Sequence, residues 1–479
     1  MVGLAGLALA AAGNLVDTNV NRPETTPTTS SQFGDLNMPI HPIFAQGTTP
    51  REMVAAYKRL LKQYGQGFEH LIGGAGLEYE PVTRWTPGAI GTPFDLTYSF
   101  PPDGISTNGN GNNTLHARLN ALFGSESTWK ALFAQALGEW GLVTGNTYTE
   151  VPDDGASWPF TPGFGNVRGD IRIVAGNIDG GGGVLAFNQF PNNGDMLIDT
   201  ADNWAGGGFN FRFFRNTITH EDGHGIGLAH SCPSIGTKIM EPFINTNFDG
   251  PQLDDILAAQ IEYGDTQEPN NSLAAATSLE DLGLVSDVQL NINQLSLHNS
   301  GDGDFFSFQG NAGTVINLAQ AAPSGTTYNT GAQNNNGTCQ NGTPLDTLRQ
   351  FDLTIELLNS ASQVIASAND NGLGGAETIS GFALPADGTY FLRVRSVGTG
   401  STASGPNNNL HIQLYNFRFN ATLSALTGDL NGDGAVNGAD LAILLIAWGT
   451  DGGVTGSDLN GDGIVNGTDL ASLLISWTG

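Results

Sequence analysis

Basic residues are scarce in this chain. Its 479 residues hold 17 Lys and Arg against 46 Asp and Glu, a formal charge of −29. So acidic a surface repels phosphate backbones and anionic lipid, which argues against nucleic-acid and membrane-surface roles. Long apolar runs are also lacking: no later segment reaches the ~20 residues that a bilayer-spanning helix needs. Cysteine is limited to Cys232 and Cys339. At most one disulfide can form; it would suit an exported protein, and two unpaired thiols fit the composition as well. Histidine is sparse too, with eight in all, so where it gathers is informative.

What is abundant is Gly, Asn, Thr and Asp, a composition that suits calcium loops. The start, "MVGLAGLALAAAG", has the length and apolarity of a signal segment, with Ala8-Leu9-Ala10 as a candidate cleavage site. It lacks a basic n-region, since Arg22 is the first basic residue.

By length the chain holds about three domains. Residues 1–20 read as the signal segment. Residues 21–79 read as linker plus a short amphipathic helix, "REMVAAYKRLLKQY" from 51 to 64, as part of a propeptide or packed on the next domain. Residues 80–264 mix strands ("DLTYSF", "GDIRIVA") with helices ("ESTWKALFAQALGEWGLV", "LDDILAAQIEYG"), an α+β pattern. From 265 to 422 period-two runs dominate: Leu353, Ile355 and Leu357; Tyr390, Leu392 and Val394; Leu410, Ile412 and Leu414. These predict an antiparallel β-sandwich. Residues 322–349 form a Gly/Asn/Thr-rich insertion without a regular pattern. Residues 423–479 contain a repeat, "DLNGDGAVNGADLAILLIAW" from Asp429 and "DLNGDGIVNGTDLASLLISW" from Asp458. One supersecondary unit is used twice.

Three of the eight histidines fall in "THEDGHGIGLAHS", residues 219–231, as H-E-x-x-H-x-x-G-x-x-H. On a helix His220 and His224 share a face. Gly227 can take a positive φ, end the helix and bring His230 to the same point. Three imidazoles leave one zinc position open, which suits catalysis rather than a closed structural site. Glu221 is placed to take a proton from water in that position, whose pKa zinc lowers to about 7, and to pass it to a departing amine. The chemistry this predicts is peptide hydrolysis without a covalent enzyme intermediate. The alternative is a surface helix with coincidental histidines, which the extended spacing disfavours.

With "KIMEP" following at Met240, the segment resembles the matrixin branch of metzincins, the matrix-metalloproteinase-like peptidases. "LTYSF", "ALGEWGLVTGNTYTEV", "GDIRI", "DGGGGVLAFNQFP", "GDMLIDTADNW" and "LDDILAAQIEYG" extend the likeness over 80–264. The resemblance implies a twisted five-stranded mixed sheet, three helices and a cleft above one catalytic zinc. It implies His220, His224 and His230 as zinc ligands, Glu221 as general base, Met240 as the Met-turn and Pro242–Ile244 as the S1′ wall. It also implies calcium at Asp179, Asp199 and Asp202; the alternative is that they are simply turn residues. Three departures stand out. Phe187 and Leu197 occupy positions where the family's second zinc has histidines, so that zinc is expected to be absent. The cysteine-switch motif is missing, so latency would need another device. Glu241 replaces the family's Tyr after the methionine. Cys232, two residues past a ligand, is expected in a disulfide or as an inert thiol rather than on the metal.

"EPNNSLAAATSL", "SGDGDFFSF" and "DGTYFLRVRSV" resemble the bacterial pre-peptidase C-terminal domain, a β-sandwich that implies an accessory role. The terminal repeat presents Asp429, Asn431, Asp433, Asn437 and Asp440, then Asp458, Asn460, Asp462, Asn466 and Asp469. These are positions 1, 3, 5, 9 and 12 of an EF-hand-like loop, with Gly434 and Gly463 at the sharp turn. It resembles a type I dockerin, whose usual partner is a cohesin. Gly438-Ala439 and Gly467-Thr468 depart from the family's Ser/Thr pair at positions 10 and 11, which leaves the docking partner's identity open.

The expectation is therefore a multidomain, secreted or surface-associated zinc endopeptidase acting on protein substrates. It comprises an α+β metzincin domain, an all-β sandwich and a small α-helical calcium-loop tail, with no transmembrane span. The rival is a non-catalytic adhesion or scaffold protein that uses the peptidase fold to bind; an intact Glu221 argues against it.

Overall fold

The computed structural model describes residues 40–64, 83–159, 167–206, 208–331, 333–334, 338–399, 412–424, 427–432 and 435–477, without the Leu61 side chain. The candidate signal segment, Leu410, Asp433 and Gly434 lie outside them.

A six-stranded mixed sheet organises the first half. Its strands are β1 (Ile40–Phe44), β2 (Asp95–Ser99), β3 (Thr147–Glu150), β4 (Ile171–Gly176), β5 (Val184–Gln189) and β6 (Met196–Asp199), in the order β1-β5-β6-β4-β2-β3. Strand β2 runs parallel to β3 and β4, and β4 parallel to β6; β5 is antiparallel to both β6 and β1. The helices are α1 (Pro50–Tyr64), α2 (Leu115–Phe123), α3 (Glu126–Thr144), α4 (Arg212–Gly225) and α5 (Leu253–Tyr263). Helix α3 is started by the Ser125 side chain, which accepts from Thr128 N–H, and stopped by Gly145 at φ +73°.

Two elements differ from the expectation. The sheet has a sixth strand, β1, drawn from the segment read as linker. Five residues with a central Pro carry little strand signal of their own, and β1 takes its backbone partners from β5. Helix α2 makes four helices over 80–264 instead of three; its nine residues are too few to show a long period.

The sheet is buried on both faces. Ile173, Ala175, Ala186 and Ile198 join Trp129, Phe133, Trp140 and Ile218 in the main core. On the other face Val174, Val184, Phe187 and Leu197 lie under Met53, Tyr57 and Leu60 of α1. Phe187 and Leu197 are thus packing residues beneath the helix.

The sandwich pairs two sheets. One contains Glu377–Ile379, Val315–Ser324, Gln413–Thr422 and Leu290–Leu297. The other contains Val364–Ala368, Phe351–Leu358, Gly388–Thr399, Gly303–Gly310 and Thr277–Ser278. Leu353, Ile355, Leu357, Tyr390, Leu392 and Val394 fill its core, as their alternation predicts. Ile412 and Leu414 do not; they pack into the peptidase core, while Tyr415, Phe417 and Phe419 face the sandwich interior. Period two separates two faces, and here both are covered, so either set of alternate residues is apolar. The insertion also gains structure: Thr327–Thr330 pairs with Thr343–Asp346 in a hairpin, and Leu345 and Tyr328 rest on the peptidase core.

In the tail, α6 (Gly438–Ile446) and α7 (Gly467–Ile475) share a small core of Val436, Leu444, Val465 and Leu473. Among the described residues no helix is long and apolar enough to cross a membrane.

Candidate metal centre

Helix α4 carries His220 and His224 on its buried face, and its end is built to deliver His230. Gly227 takes φ +104°, and a Cβ there would overlap the Thr83 carbonyl oxygen. Glycine is required twice over, by dihedral and by space. The last helical carbonyls are held by the core: Trp85 Nε1–H donates to Gly225 O at 2.8 Å and Tyr263 O–H to Ile226 O at 2.7 Å.

The three imidazoles converge. His220 Nε2 lies 3.1 Å from His224 Nε2 and 3.2 Å from His230 Nε2. His220 Nδ1–H donates to Ile239 O and His224 Nδ1–H to Leu228 O, each at 2.6 Å. These bonds fix the tautomers, so both Nε2 atoms present lone pairs. Lone pairs so close repel unless a cation sits between them. A tetrahedral zinc at 2.0–2.1 Å from each donor would set such atoms about 3.3 Å apart, so the donor set fits that ion. Burial holds His220 down at about 4. Burial, then the neighbouring imidazoles, hold His224 and His230 well below the usual range, so all three are neutral donors near pH 7.

Glu221 is fully buried. Its Oε1 accepts from Ile43 N–H at 3.2 Å, and its Oε2 has no hydrogen-bond partner among the described residues. Burial pushes its carboxyl well above the usual range, and the Ile43 N–H opposes that.

Met240 packs against helix α4 at Gly223. A Cβ on Gly223 of α4 would overlap its Sδ, so a larger residue at that position would displace the Met240 side chain. The turn is pinned to α5, where Asp255 accepts from Ile239 N–H at 2.8 Å and Met240 N–H at 3.0 Å. Pro242–Ile244 follows as an extended wall, with an open cavity of about 630 Å³ beyond it, lined by Phe213, Ile235, Glu241, Phe243 and Ile244. Glu241 turns its carboxylate onto the Gly236, Thr237 and Lys238 N–H groups and braces that loop.

Two residues at the centre escaped sequence reading. Gln333, in the insertion, lays its amide against His230, Oε1 at 3.3 Å from Nδ1. The Cys232–Cys339 disulfide ties the same insertion to the His230 segment, which settles the pairing and keeps Cys232 off the metal. The other residue is His41 of β1, whose ring nitrogen groups with those of His224 and His230 within 4.8 Å. A single His in a Pro/Thr-rich stretch gave no spacing to read; the apolar "IHPIF" around it was the available signal.

Asp179, Asp199 and Asp202 meet around the glycine loop after β4. Asp199 Oδ2 accepts from Ile178 and Asp179 N–H, Asp202 Oδ1 from Gly182 N–H, and Asp179 from Val184 N–H. Asp202 Oδ2 has no hydrogen-bond partner among the described residues, and burial followed by the two neighbouring carboxylates raises Asp202 to about 6. In the tail, Asp458, Asn460 and Asp462 gather in one loop, Gly463 N–H donating to Asp458 at 2.7 Å and Asn460 Nδ2 to Asp462 at 3.0 Å. Asn437 with Asp440, and Asn466 with Asp469, form reciprocal caps on α6 and α7. Asp429 accepts from Gly432 N–H, and Asp440 from Asn431 N–H.

Three buried imidazoles, two on helix α4 and one just past its end, lie beside a mixed sheet with an antiparallel strand, which makes this an α+β domain with a candidate metal centre. Comparison with known proteins agrees. Residues 117–264 match the family model for matrixin, 302–396 that for the bacterial pre-peptidase C-terminal domain and 427–474 that for the dockerin type I domain. The chain therefore carries these three domain types; matrixin domains bind zinc and dockerin domains bind calcium. It is 31% identical to a hatching enzyme of Paracentrotus lividus over 26% of this chain and 21% of that protein. It is 32% identical to an interstitial collagenase of Equus caballus over 29% of each, and 26% identical to the metalloendoproteinase 4-MMP of Arabidopsis thaliana over 42% of this chain and 54% of that one. The chain thus spans between about a fifth and about half of these relatives.

Proposed function

We propose that this chain is an exported zinc endopeptidase, docked through its calcium-loaded tail. The observation that carries the reading is the convergence of three buried imidazoles, with His220 Nε2 3.1 Å from His224 Nε2 and 3.2 Å from His230 Nε2. On this reading His220, His224 and His230 hold the ion. Zinc in such a site supplies Lewis acidity toward a carbonyl and toward water. Glu221 takes the proton of the attacking water and returns it to the departing amine nitrogen. The edge of β5 that β1 covers in this structure and the Pro242–Ile244 wall hold an extended substrate by backbone pairing on either side once β1 withdraws, as strand addition does elsewhere. Met240 packs on α4 at Gly223, between the two helical imidazoles in sequence.

Asp179, Asp199 and Asp202 bind calcium and stiffen the loop beside β5, a role suited to hard carboxylate oxygens. The tail loops, Asp429 to Asp440 and Asp458 to Asp469, bind one calcium each. That presents Leu445, Ile446 and Trp448, and their repeats Leu474, Ile475 and Trp477, to a cohesin-like partner; all six are exposed. Apolar side chains displayed in two equivalent patches suit a docking face.

The test is metal analysis of the folded chain with cleavage of casein before and after a zinc chelator. One zinc per chain and cleavage abolished by chelation are expected; undiminished cleavage in a zinc-free chain would sink the reading. For the tail, calcium is expected to raise helicity and resistance to proteolysis. Identical far-UV spectra and digestion rates with calcium and with EGTA would remove the docking claim.

A further inference from the structure

Strand β1 occupies the groove that the reading above reserves for substrate. It pairs antiparallel with β5, from Ile40 opposite Gln189 to Phe44 opposite Val184. On the other side Phe44 N–H donates to Pro242 O at 2.9 Å, and Phe44 O accepts from Ile244 N–H at 3.0 Å. Ala45 N–H continues the pairing to Gly183 O at 2.8 Å. The Ile43 N–H points at Glu221, which sets the Pro42–Ile43 peptide bond against the carboxylate. Side chains alternate along a strand, so His41 shares the face of Ile43. The His41 ring centroid is 5.2 Å from that of His224 and 5.0 Å from that of His230.

Nothing here is open to solvent: His41, His220, Glu221, His224 and His230 are each at most 2% exposed. Helix α1 locks the strand in place, Tyr57 and Leu60 packing with Phe44 and Phe187. A peptidase in this state admits neither substrate nor water.

The geometry points to a built-in substrate surrogate: β1 closes the centre, and His41 contributes a fourth imidazole to the ion held by His220, His224 and His230. This rests on the zinc-peptidase reading and adds its regulation. Four protein ligands make a closed site and three an open one, so withdrawal of His41 converts one into the other. It also explains how the Pro42–Ile43 bond can face Glu221 intact, because the imidazole stands where the attacking water must be. The direction of β1 identifies Ile43 as the residue after the bond that a true substrate would present, and the wall beyond it is apolar.

The test compares the full zinc-loaded chain with His41→Ala by X-ray absorption and by peptide cleavage. Four imidazoles per zinc are expected in the parent and three with one oxygen ligand in the variant. Cleavage should rise on the order of tenfold or more, as the competent state ceases to be a minor population. Phe44→Lys, on the opposite face of the strand and away from the imidazoles, should shift both readouts the same way by loosening β1 from α1. Three imidazoles in the parent, with cleavage unchanged in both variants, overturns the inference and leaves the peptidase reading standing. A fall from four imidazoles to three with no cleavage by any form keeps His41 as a ligand and overturns the peptidase reading. Absence of zinc from parent and variants overturns both.

Discussion

Glu221→Gln is expected to lower peptide cleavage by about 10²–10⁴-fold, the range for loss of a positioned general base, with zinc content unchanged. Glutamine keeps the volume of the buried side chain and an acceptor oxygen for Ile43 N–H, bonded at 3.2 Å in the parent. What it loses is the ability to take a proton. The effect should therefore fall on kcat rather than on folding or metal affinity. Because β1 closes the site, the ratio is best read twice, in the parent and with His41→Ala in the background. Cleavage by Glu221→Gln at the parental rate, with zinc bound, would falsify the assigned role. Absence of cleavage by both the parent and the His41→Ala chain, with zinc bound, would instead revive the adhesion reading.

The second large effect concerns the disulfide. Cys232 and Cys339 are 107 residues apart in sequence, and a cross-link closing a loop of that length is worth about 4–5 kcal/mol in the chain-entropy account. Replacing both by Ser is expected to lower the unfolding free energy by up to that amount. A second consequence is local. The disulfide holds the insertion whose Gln333 meets His230, and loss of such a supporting contact weakens metal affinity by about 10–100-fold. Denaturant titration and zinc competition check the two parts. A double-Ser chain with the parental midpoint and the parental zinc affinity would show that the sandwich positions Gln333 without help from the disulfide.

The histidine motif was legible because a helix imposes its own geometry. His220 and His224 face one way by period alone, and Gly227 announces the turn. The tail was legible for a similar reason: each loop gathers its Asp and Asn residues from positions close together in sequence, so spacing carries the information. The sandwich showed its alternation at Leu353 and Tyr390 but misled at Leu414, where a second domain covers the face that would otherwise meet water. The hairpin at 327–346 was invisible because its apolar residues are few and pack on another domain.

Sequence alone singled out His220, His224 and His230, the Glu221 carboxylate beside them, Met240 and the two Asp/Asn loops, since each stands out by its spacing from near neighbours. Tertiary structure alone decided that His41 lies against the trio, that Gln333 meets His230 and that the two cysteines join. Those contacts span more than a hundred residues each. No local period encodes them, because they are selected by whatever edge, groove or core the rest of the chain leaves to be filled.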